Sequence, residues 1–454
     1  MTPDGIDGRR LEVMGEREAR RFEERTRRSA ELLMRARRSM PNGVPMAWMA
    51  GLCDHAPIFV AGGEGASFED VDGNRYVDFN QADLAATLGF APPAVTEAVQ
   101  RRAAEGASFL LPTEDGVVAA ELLAERTDLP FWQFTGSASA SNTEVIRIAR
   151  VATGREKVLA FEGKYHGHID ETLVEGQGTD TRHEALGLPR SVLATTRVVP
   201  FNDLATLEAA LASRDIACLV AEPMLTNVGI VFPDEGFWAE AARLARRAGT
   251  LLVIDEAHTH SFAYGGLTRA WGLAPDLLVL GKGLGSGIAF GAYGMTAELA
   301  DLCVRYLDGN VAEPDGLALG GTTYGNALAL AAARAALEHC LTKEAYRRTA
   351  ELGRTLGKGL ESVFRKHGLD WRAPAVGGRS AWVLFPELPR TAEESYRSLD
   401  RRFVETRRLF MLNRGIWEAI RTAGPALSFA HCQADVDRYI DVADAFLGEL
   451  RDGR

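Results

Sequence analysis

The sequence is poor in lysine, and its cysteines show no paired spacing. Only six of the 454 residues are lysine, so arginine supplies nearly all of the positive charge. The five cysteines are Cys53, Cys218, Cys303, Cys340 and Cys432. Their scatter argues against a disulfide framework and against a cysteine-based zinc site. It is typical of buried thiols in a reducing compartment, so we expect a cytoplasmic protein.

The chain also lacks long apolar runs and an excess of positive charge. No stretch approaches the length of a membrane span, and the N-terminus has no apolar centre of a signal peptide. The net charge of -11 argues against nucleic acid or an anionic membrane as a partner. A hydrophobic content of 46% is enough for the cores of two or three domains.

Strand and helix patterns alternate through the middle of the chain. Apolar runs without polar alternation are typical of strands buried on both faces, as in a parallel sheet covered by helices. The predicted strands are Phe131–Thr135, Val158–Phe161, Ile216–Glu222, Leu251–Asp255, Leu277–Gly281 and Ala289–Met295. The alternation with helices such as Phe237–Ala248 predicts an α/β fold with a mostly parallel sheet.

The two ends of the chain have a different pattern. Charged helices are predicted in residues 9–39, followed by strands at Pro57–Val60 and within Gly65–Phe79. Beyond residue 330, a long helix Ala327–Cys340 leads to another helix, short strands and a closing helix near Ala434–Leu450. We therefore predict residues 1–75 as an N-terminal part of a small domain, 76–330 as a large α/β domain and 331–454 as the α+β remainder of the small domain.

Two polar residues follow buried strands in the large domain. Asp255 ends one apolar run, and Lys282 ends the next inside a glycine-rich turn. A buried lysine loses its charge readily, and a neutral amine can form a Schiff base. A lysine and an acid that meet at one edge of a sheet are what a pyridoxal phosphate (PLP) site requires. The alternative is a lysine whose amine simply reaches solvent.

Other small and aromatic residues follow strands in the same region. Ser137, Ala138 and Ser139 join a strand to a helix, where backbone amides and hydroxyls can bind phosphate. The alternative is an ordinary serine cap. Tyr165, flanked by glycines, could stack on a planar ring. His166 and His168 lack the spacing of the strong metal signatures, so we predict no metal site.

Two rival phosphate-binding motifs are absent from the lysine turn. Gly281-Lys282 lacks the upstream glycine and the following serine or threonine of a P-loop. Gly283, Gly285 and Gly287 miss the third-glycine spacing of a dinucleotide fingerprint.

In combination, these motifs resemble the class III aminotransferases of PLP fold type I, especially the branch containing glutamate-1-semialdehyde aminomutase. The resemblance runs from about residue 40 to 450. Its most specific segments are Phe161–His168, Leu252–Glu256, Pro275–Gly287 and Gly321–Asn326. It implies a large PLP-binding domain with a mostly parallel sheet and a smaller α+β domain.

The resemblance also implies a role for each matching residue. Lys282 would hold PLP as a Schiff base and move protons, and Asp255 would pair with the pyridine nitrogen. The remaining cofactor-binding residues would be Ser137, Ala138, Ser139, Tyr165, Asn227, Ala257 and Thr322. Tyr165 and Ala257 would lie on opposite ring faces, and Asn227 would approach the ring hydroxyl. Thr322 would reach the phosphate of a neighbouring subunit, which implies a homodimer.

The sequence departs from that family at several positions. The phosphate turn reads Ser137-Ala-Ser-Ala-Ser141, where the family usually has Ser-Gly-Thr-Glu-Ala. Met49 stands where the aminomutase uses an arginine for the substrate carboxylate, and Ala423 where it uses a glutamate. Trp48 and Met49 would form an apolar, adaptable wall for the substrate. Arg421 is a candidate for binding a carboxylate.

We therefore predict a PLP-dependent aminotransferase that moves an amino group from an amine or amino acid donor to a carbonyl acceptor. Its substrate would be hydrophobic or aromatic. The alternatives are an aminomutase, epimerase or decarboxylase on the same scaffold, or a non-catalytic PLP-binding relative. Formation of a stoichiometric keto product from a separate donor would distinguish transamination from the other reactions.

Overall fold

The computed structural model describes residues 5–176, 181–307, 316–420, 422 and 424–452. The described residues form two compact units. The larger comprises residues 93–343 and 389–393, and the smaller comprises residues 1–92, 344–388 and 394–454. The three-part domain division at residues 75 and 330 stays a prediction.

Fifteen strands and sixteen α-helices are seen in the described residues. The strands are β1 (Val60–Glu64), β2 (Ser67–Asp70), β3 (Arg75–Asp78), β4 (Phe131–Thr135), β5 (Lys157–Phe161), β6 (Val174–Glu175), β7 (Arg182–His183), β8 (Thr196–Val199), β9 (Ile216–Ala221), β10 (Leu251–Asp255), β11 (Leu277–Leu280), β12 (Gly291–Met295), β13 (Ala375–Val376), β14 (Arg379–Ser380) and β15 (Ile416–Trp417). The helices are α1 (Gly8–Arg25), α2 (Arg27–Ala36), α3 (Ala47–Gly51), α4 (Pro93–Glu105), α5 (Glu114–Thr127), α6 (Ala138–Thr153), α7 (Ser191–Thr195), α8 (Leu204–Leu211), α9 (Phe237–Ala248), α10 (Gly266–Ala270), α11 (Ala297–Leu307), α12 (Ala327–Ala335), α13 (Lys343–Lys366), α14 (Ala392–Tyr396), α15 (Arg401–Leu412) and α16 (Gln433–Asp452).

The larger unit is built on a seven-stranded sheet with the order β4-β12-β11-β10-β9-β5-β8. Six strands point the same way, because only β12 is antiparallel to its neighbours β11 and β4. Every residue of β9 and β11 is buried, as expected for strands covered on both faces. The predicted α/β fold with a mostly parallel sheet is confirmed.

Helix α6 packs on this sheet and begins at the turn predicted to bind phosphate. Ser137 is its N-cap, and Gly154 ends it with a φ of 66°. Val145 and Ile148 on its buried face belong to the same apolar core as Val253 and Val279 of the sheet. The apolar face thus fixes the position of the helix start against the strand ends.

The smaller unit contains a four-stranded sheet of order β1-β2-β3-β15. Strands β1, β2 and β3 are antiparallel neighbours, and β15 adds in parallel to β3. Its core joins α1, α13, α15 and α16 through buried side chains, among them Leu11, Phe364, Phe403 and Phe446. This unit confirms a set of helices and short strands at both ends of the chain.

Several predicted boundaries were wrong. The strand predicted at Pro57–Val60 begins at Val60 instead, and the N–H of Phe59 donates to Ser29 Oγ and not to a neighbouring strand. The edge strand β8 was missed because Thr196 and Arg197 interrupt its apolar pattern. The helix predicted as Ala327–Cys340 is helical to Ala335 and then forms a π-helical turn over Ala336–Cys340.

Within the described residues, none of the helices has the length and apolar character needed to cross a membrane.

Candidate active site

The centre of the candidate site is the carboxylate of Asp255, at the last position of β10. Its Oδ2 accepts hydrogen bonds from Asn142 Nδ2 at 2.8 Å and from His166 Nδ1 at 2.9 Å. Its Oδ1 accepts from the backbone N–H of Ala257 at 2.9 Å. A carboxylate has about four acceptor positions, so these three bonds leave room for one more donor.

Burial and hydrogen bonding act in opposite directions on Asp255. Burial by itself would raise the pKa of this carboxyl group. The hydrogen bond and the charge of His166, with the bonds from Ala257 and Asn142, outweigh burial and lower the pKa below its ordinary value. Asp255 is therefore ionised at neutral pH and can pair with a protonated nitrogen.

Lys282 lies at the end of the neighbouring strand. Strands β10 and β11 are parallel, with Asp255 opposite Val279, so Asp255 and Lys282 emerge at the same edge of the sheet. Lys282 is half-buried and has a φ of 48°. This is a left-handed backbone conformation that residues other than glycine rarely adopt. Such strain is found at functional positions more often than elsewhere.

The predicted phosphate turn lies at the start of α6. Ser137 Oγ accepts a hydrogen bond from the N–H of Ala140 at 3.2 Å, so the serine cap considered as the alternative is present. Ser139 Oγ accepts from the backbone N–H of His168 at 3.0 Å, and its own hydrogen can be donated elsewhere. The turn thus offers the first amides of a 16-residue helix and a serine hydroxyl to an anion.

Three glycines press against this turn. A Cβ on Gly167 would lie 2.1 Å from Ser139 Oγ, and one on Gly291 would lie 2.4 Å from the carbonyl of Ser137. A Cβ on Gly281 would lie 3.0 Å from the methyl group of Ala138. The alanine that replaces the family's usual glycine is therefore accommodated, because residue 281 has no side chain.

The other predicted cofactor residues have varied surroundings. Asn227 donates from Nδ2 to Glu222 Oε1 at 3.2 Å. Ala257 is half-buried and bonded through its N–H to Asp255. Tyr165 and Thr322 are exposed. Their contacts with a cofactor stay predictions.

The predicted substrate residues divide into three cases. Met49 lines a cavity of about 430 Å³ within the smaller unit, with apolar neighbours that include Leu52, Phe68 and Trp417. Trp48 is also exposed but does not line this cavity. Arg421 lies outside the described residues, as does Ala423. None of the described residues that line the cavity is a lysine or an arginine.

Sequence reasoning missed the two side chains that hold Asp255. Asn142 was predicted only as a helix residue, and His166 was considered only as a metal ligand. Both are fully buried polar residues, and His166 Nε2 and Asn142 Oδ1 have no hydrogen-bond partner among the described residues. The available signal was their closeness in sequence to predicted site residues, since Asn142 directly follows the serine turn and His166 directly follows Tyr165. Among the described residues, no group of three or more His, Cys, Asp or Glu side chains could hold a metal ion.

Comparison with known proteins identifies the family. The profile of the family described as Aminotransferase class-III matches residues 49–376. The chain belongs to the class III aminotransferase family. The predicted family, fold type I architecture and PLP cofactor are thereby confirmed.

Similar proteins and solved structures cover most of the chain. A glutamate-1-semialdehyde 2,1-aminomutase of Sorangium cellulosum is 36% identical over 393 residues, which cover 85% of this chain and 87% of that protein. A crystal structure of a glutamate-1-semialdehyde-aminomutase from Pseudomonas aeruginosa in complex with PMP has a TM-score of 0.93 and 36% identity, covering 98% and 100% of the two chains. A β-phenylalanine aminotransferase from Variovorax paradoxus has a TM-score of 0.85 and 28% identity, covering 96% and 97%.

The residues of this class III chain fit PLP. The open acceptor position of Asp255 suits a protonated ring nitrogen, and the glycine-lined helix start suits a phosphate. Lys282, at the same sheet edge, suits the aldehyde. The donors and acceptors that the cofactor needs are therefore present in the larger unit.

We expect Gly167→Ala to weaken PLP binding by about tenfold or more. The new methyl group would overlap Ser139 Oγ and displace the turn that is predicted to bind the phosphate. Equilibrium dialysis of the apoenzyme with PLP measures the change. Gly187→Ala is the matched control, because Gly187 has a similar φ of 89° but no atom within 4 Å of the added Cβ. Equal losses in the two variants would contradict this account of the turn.

Proposed function

We propose that this enzyme uses PLP to move an amino group between two carbons of one substrate, as an aminomutase does. The observation that carries amino-group chemistry is the placement of Asp255 and Lys282 on adjacent parallel strand ends. The net reaction is supported by the relatives, since proteins named as aminomutases match this chain at 36% identity. The sequence alone favoured amino transfer between two substrates and gave the aminomutase reaction as an alternative, so this proposal reverses that order.

Each site residue has a defined task in this proposal. PLP supplies an aldehyde that combines with amines and a ring that withdraws electrons from the carbon that loses a proton. Asp255 keeps the ring nitrogen protonated, because its own pKa is held low by His166 and Asn142. Lys282 Nζ would hold the cofactor and would serve as the base that takes a proton from one carbon and returns it at another. The turn at Ser137 anchors the phosphate so that these atoms stay aligned.

An aminomutase needs no second substrate, and this gives a direct test. Holoenzyme supplied with glutamate-1-semialdehyde alone should form the isomer with the amino group on the neighbouring carbon, as measured by chromatography. Lys282→Ala should lower the rate by about a thousandfold or more. Lys358→Ala, which changes an exposed lysine of α13, should have the wild-type rate. Absence of the isomer would refute the aminomutase proposal.

A second candidate function is amino transfer between two separate substrates, with an apolar donor or acceptor. One observation favours it: Met49, which the resemblance places at the substrate, lines an apolar cavity without a lysine or arginine among its described lining residues. A substrate carboxylate in this cavity would find no lysine or arginine among the described lining residues. The structural likeness to a β-phenylalanine aminotransferase supports the same direction.

Met49→Arg tests the second candidate. If residue 49 selects apolar substrates, we expect the ratio of kcat/KM for an arylalkyl amine to that for an acidic amino acid to fall by about tenfold or more. The comparison uses one carbonyl acceptor throughout and follows its conversion. Met34→Arg is the control, since Met34 is an exposed methionine of α2 outside the cavity. An unchanged ratio in Met49→Arg would exclude residue 49 as a determinant of substrate choice.

We also propose that the competent unit is a homodimer. Thr322, expected to reach a neighbouring phosphate, is exposed. Phe109, Leu110 and Leu111 form an exposed run of three apolar residues, with Leu110 and Leu111 more than 70% accessible. Such runs on a surface are typical of an interface with another chain.

Leu111→Glu should weaken the proposed dimer, because a carboxylate would be buried in the interface. We expect wild-type protein to sediment as a dimer. The dissociation constant of the variant dimer should be about tenfold higher or more. Leu186→Glu is the control, since Leu186 is fully exposed but lies outside the run of three. A monomeric wild-type holoenzyme with full activity would contradict the proposal.

A further inference from the structure

Three buried polar side chains form a continuous chain of contacts near Asp255. Glu222 follows β9, Thr226 lies in the same loop, and His258 lies in the turn after β10. Thr226 Oγ1 is hydrogen-bonded to Glu222 Oε2 and lies 2.6 Å from His258 Nδ1. The parallel pairing of β9 with β10 brings the two loops together.

The hydrogens in this chain can be counted. A threonine hydroxyl has one hydrogen and donates it to one acceptor at a time. When Thr226 donates to Glu222, its contact with His258 requires a hydrogen on Nδ1. When Thr226 donates to His258, its contact with Glu222 requires a protonated carboxyl group. A concerted shift interconverts these arrangements, so Glu222 and His258 can share one proton through the hydroxyl.

The shared proton lies next to a cofactor-binding residue. Glu222 Oε1 accepts the hydrogen bond from Asn227, the residue expected at the ring hydroxyl. The charged groups that act on Glu222 are His166, which lowers its pKa, and Asp255, which raises it. His258 faces the same carboxyl group, with 3.9 Å between Nδ1 and Glu222 Oε2.

Burial determines when the proton is lost. It raises the pKa of Glu222 to about 7, although the charge of His166 and the hydrogen bond from Thr226 oppose this shift. The pKa of Asp255 is instead lowered. Near neutral pH, therefore, Asp255 is ionised while Glu222 is partly protonated, and complete loss of the shared proton changes the local charge by one unit.

We propose that Glu222, Thr226 and His258 are positioning residues that share one proton and, through Asn227, control the protonation of the bound PLP. Loss of that proton adds a negative charge near Asp255 and so stabilises the protonated form of the cofactor. The pH at which the cofactor loses its own proton is then higher than it would be beside a neutral group. This inference rests on the proposed placement of Asn227 at the ring hydroxyl, but not on which net reaction the enzyme performs.

A pH titration of the visible absorption band of holoenzyme tests the proposal. Glu222→Gln should lower the titration midpoint by about one pH unit, because an amide cannot become negative. Thr226→Val should also change the titration midpoint, because valine has no hydroxyl group to connect Glu222 and His258. Thr226→Ser keeps a hydroxyl group and should have the wild-type midpoint. His258→Gln also removes one of the three proton-sharing side chains. It can be measured instead if another variant retains too little cofactor.

Glu256→Gln is the matched control. Glu256 is also a buried carboxyl group next to Asp255 in sequence, but it accepts hydrogen bonds from the backbone of Leu267 and Thr268 and from Thr259. Its midpoint should equal that of wild type. Unchanged midpoints in Glu222→Gln and Thr226→Val, or an equal shift in Glu256→Gln, would overturn the proposal.

The failure of the proposed function would look different. If PLP is bound at Lys282, the visible band of wild-type protein should be absent from Lys282→Ala. If wild-type protein has no such Lys282-dependent band, both the placement of PLP at Lys282 and the proton-sharing proposal are wrong. A Lys282-dependent band with the same midpoint in every variant would refute only the proton-sharing proposal. Cofactor content and melting temperature of each variant show that the spectra compare folded holoenzymes.

Discussion

The candidate site depends on keeping one buried carboxylate ionised. Asp255 is buried at the end of a strand, and burial alone would favour its neutral form. Asn142 and His166 each donate to the same oxygen, and the N–H of Ala257 donates to the other. These bonds keep a negative charge at the strand end. In the proposed site this charge would pair with a protonated ring nitrogen and so support electron withdrawal by the cofactor.

The same constraint explains why other acids near the strand ends behave differently. Glu222 is also buried but has fewer donors, and burial raises its pKa to about 7. Glu256 points to backbone amides at the start of α10, and burial raises its pKa as well. The pKa values of three neighbouring buried carboxyl groups are thus shifted in different directions, down for Asp255 and up for Glu222 and Glu256. The environment of each group, not its residue type, sets the electrostatics of the site.

Small residues supply the second requirement, which is close approach of the backbone to an anion. The phosphate turn has lost the glycine and the acid usual in the family, yet α6 still begins at Ser137 and remains crowded by Gly167, Gly281 and Gly291. The close packing around the helix start is therefore kept although the turn sequence differs. Met49 is a further departure from the family, and we propose that it influences the choice of substrate.

The sequence by itself determined the parts of this protein that depend on local pattern. Uninterrupted apolar runs located β10 and β11, and with them Asp255 and Lys282, since a strand buried on both faces has no polar alternation. The serine turn and the class III resemblance followed from adjacent residues in the same way. Boundaries such as the start of β1 were less accurate, because pairing within a sheet decides where a strand begins.

Only the tertiary structure decided which distant residues meet. Asn142 and His166 come from segments far from Asp255 in sequence, and Thr226 joins Glu222 to His258 across two different strands. No spacing in the chain encodes these contacts, because they arise from the order of strands in the sheet and from the packing of α6 against it. Burial, nearby charges and hydrogen-bond donors together set the pKa of a side chain, so the electrostatics of the site could be known only once those neighbours were in place.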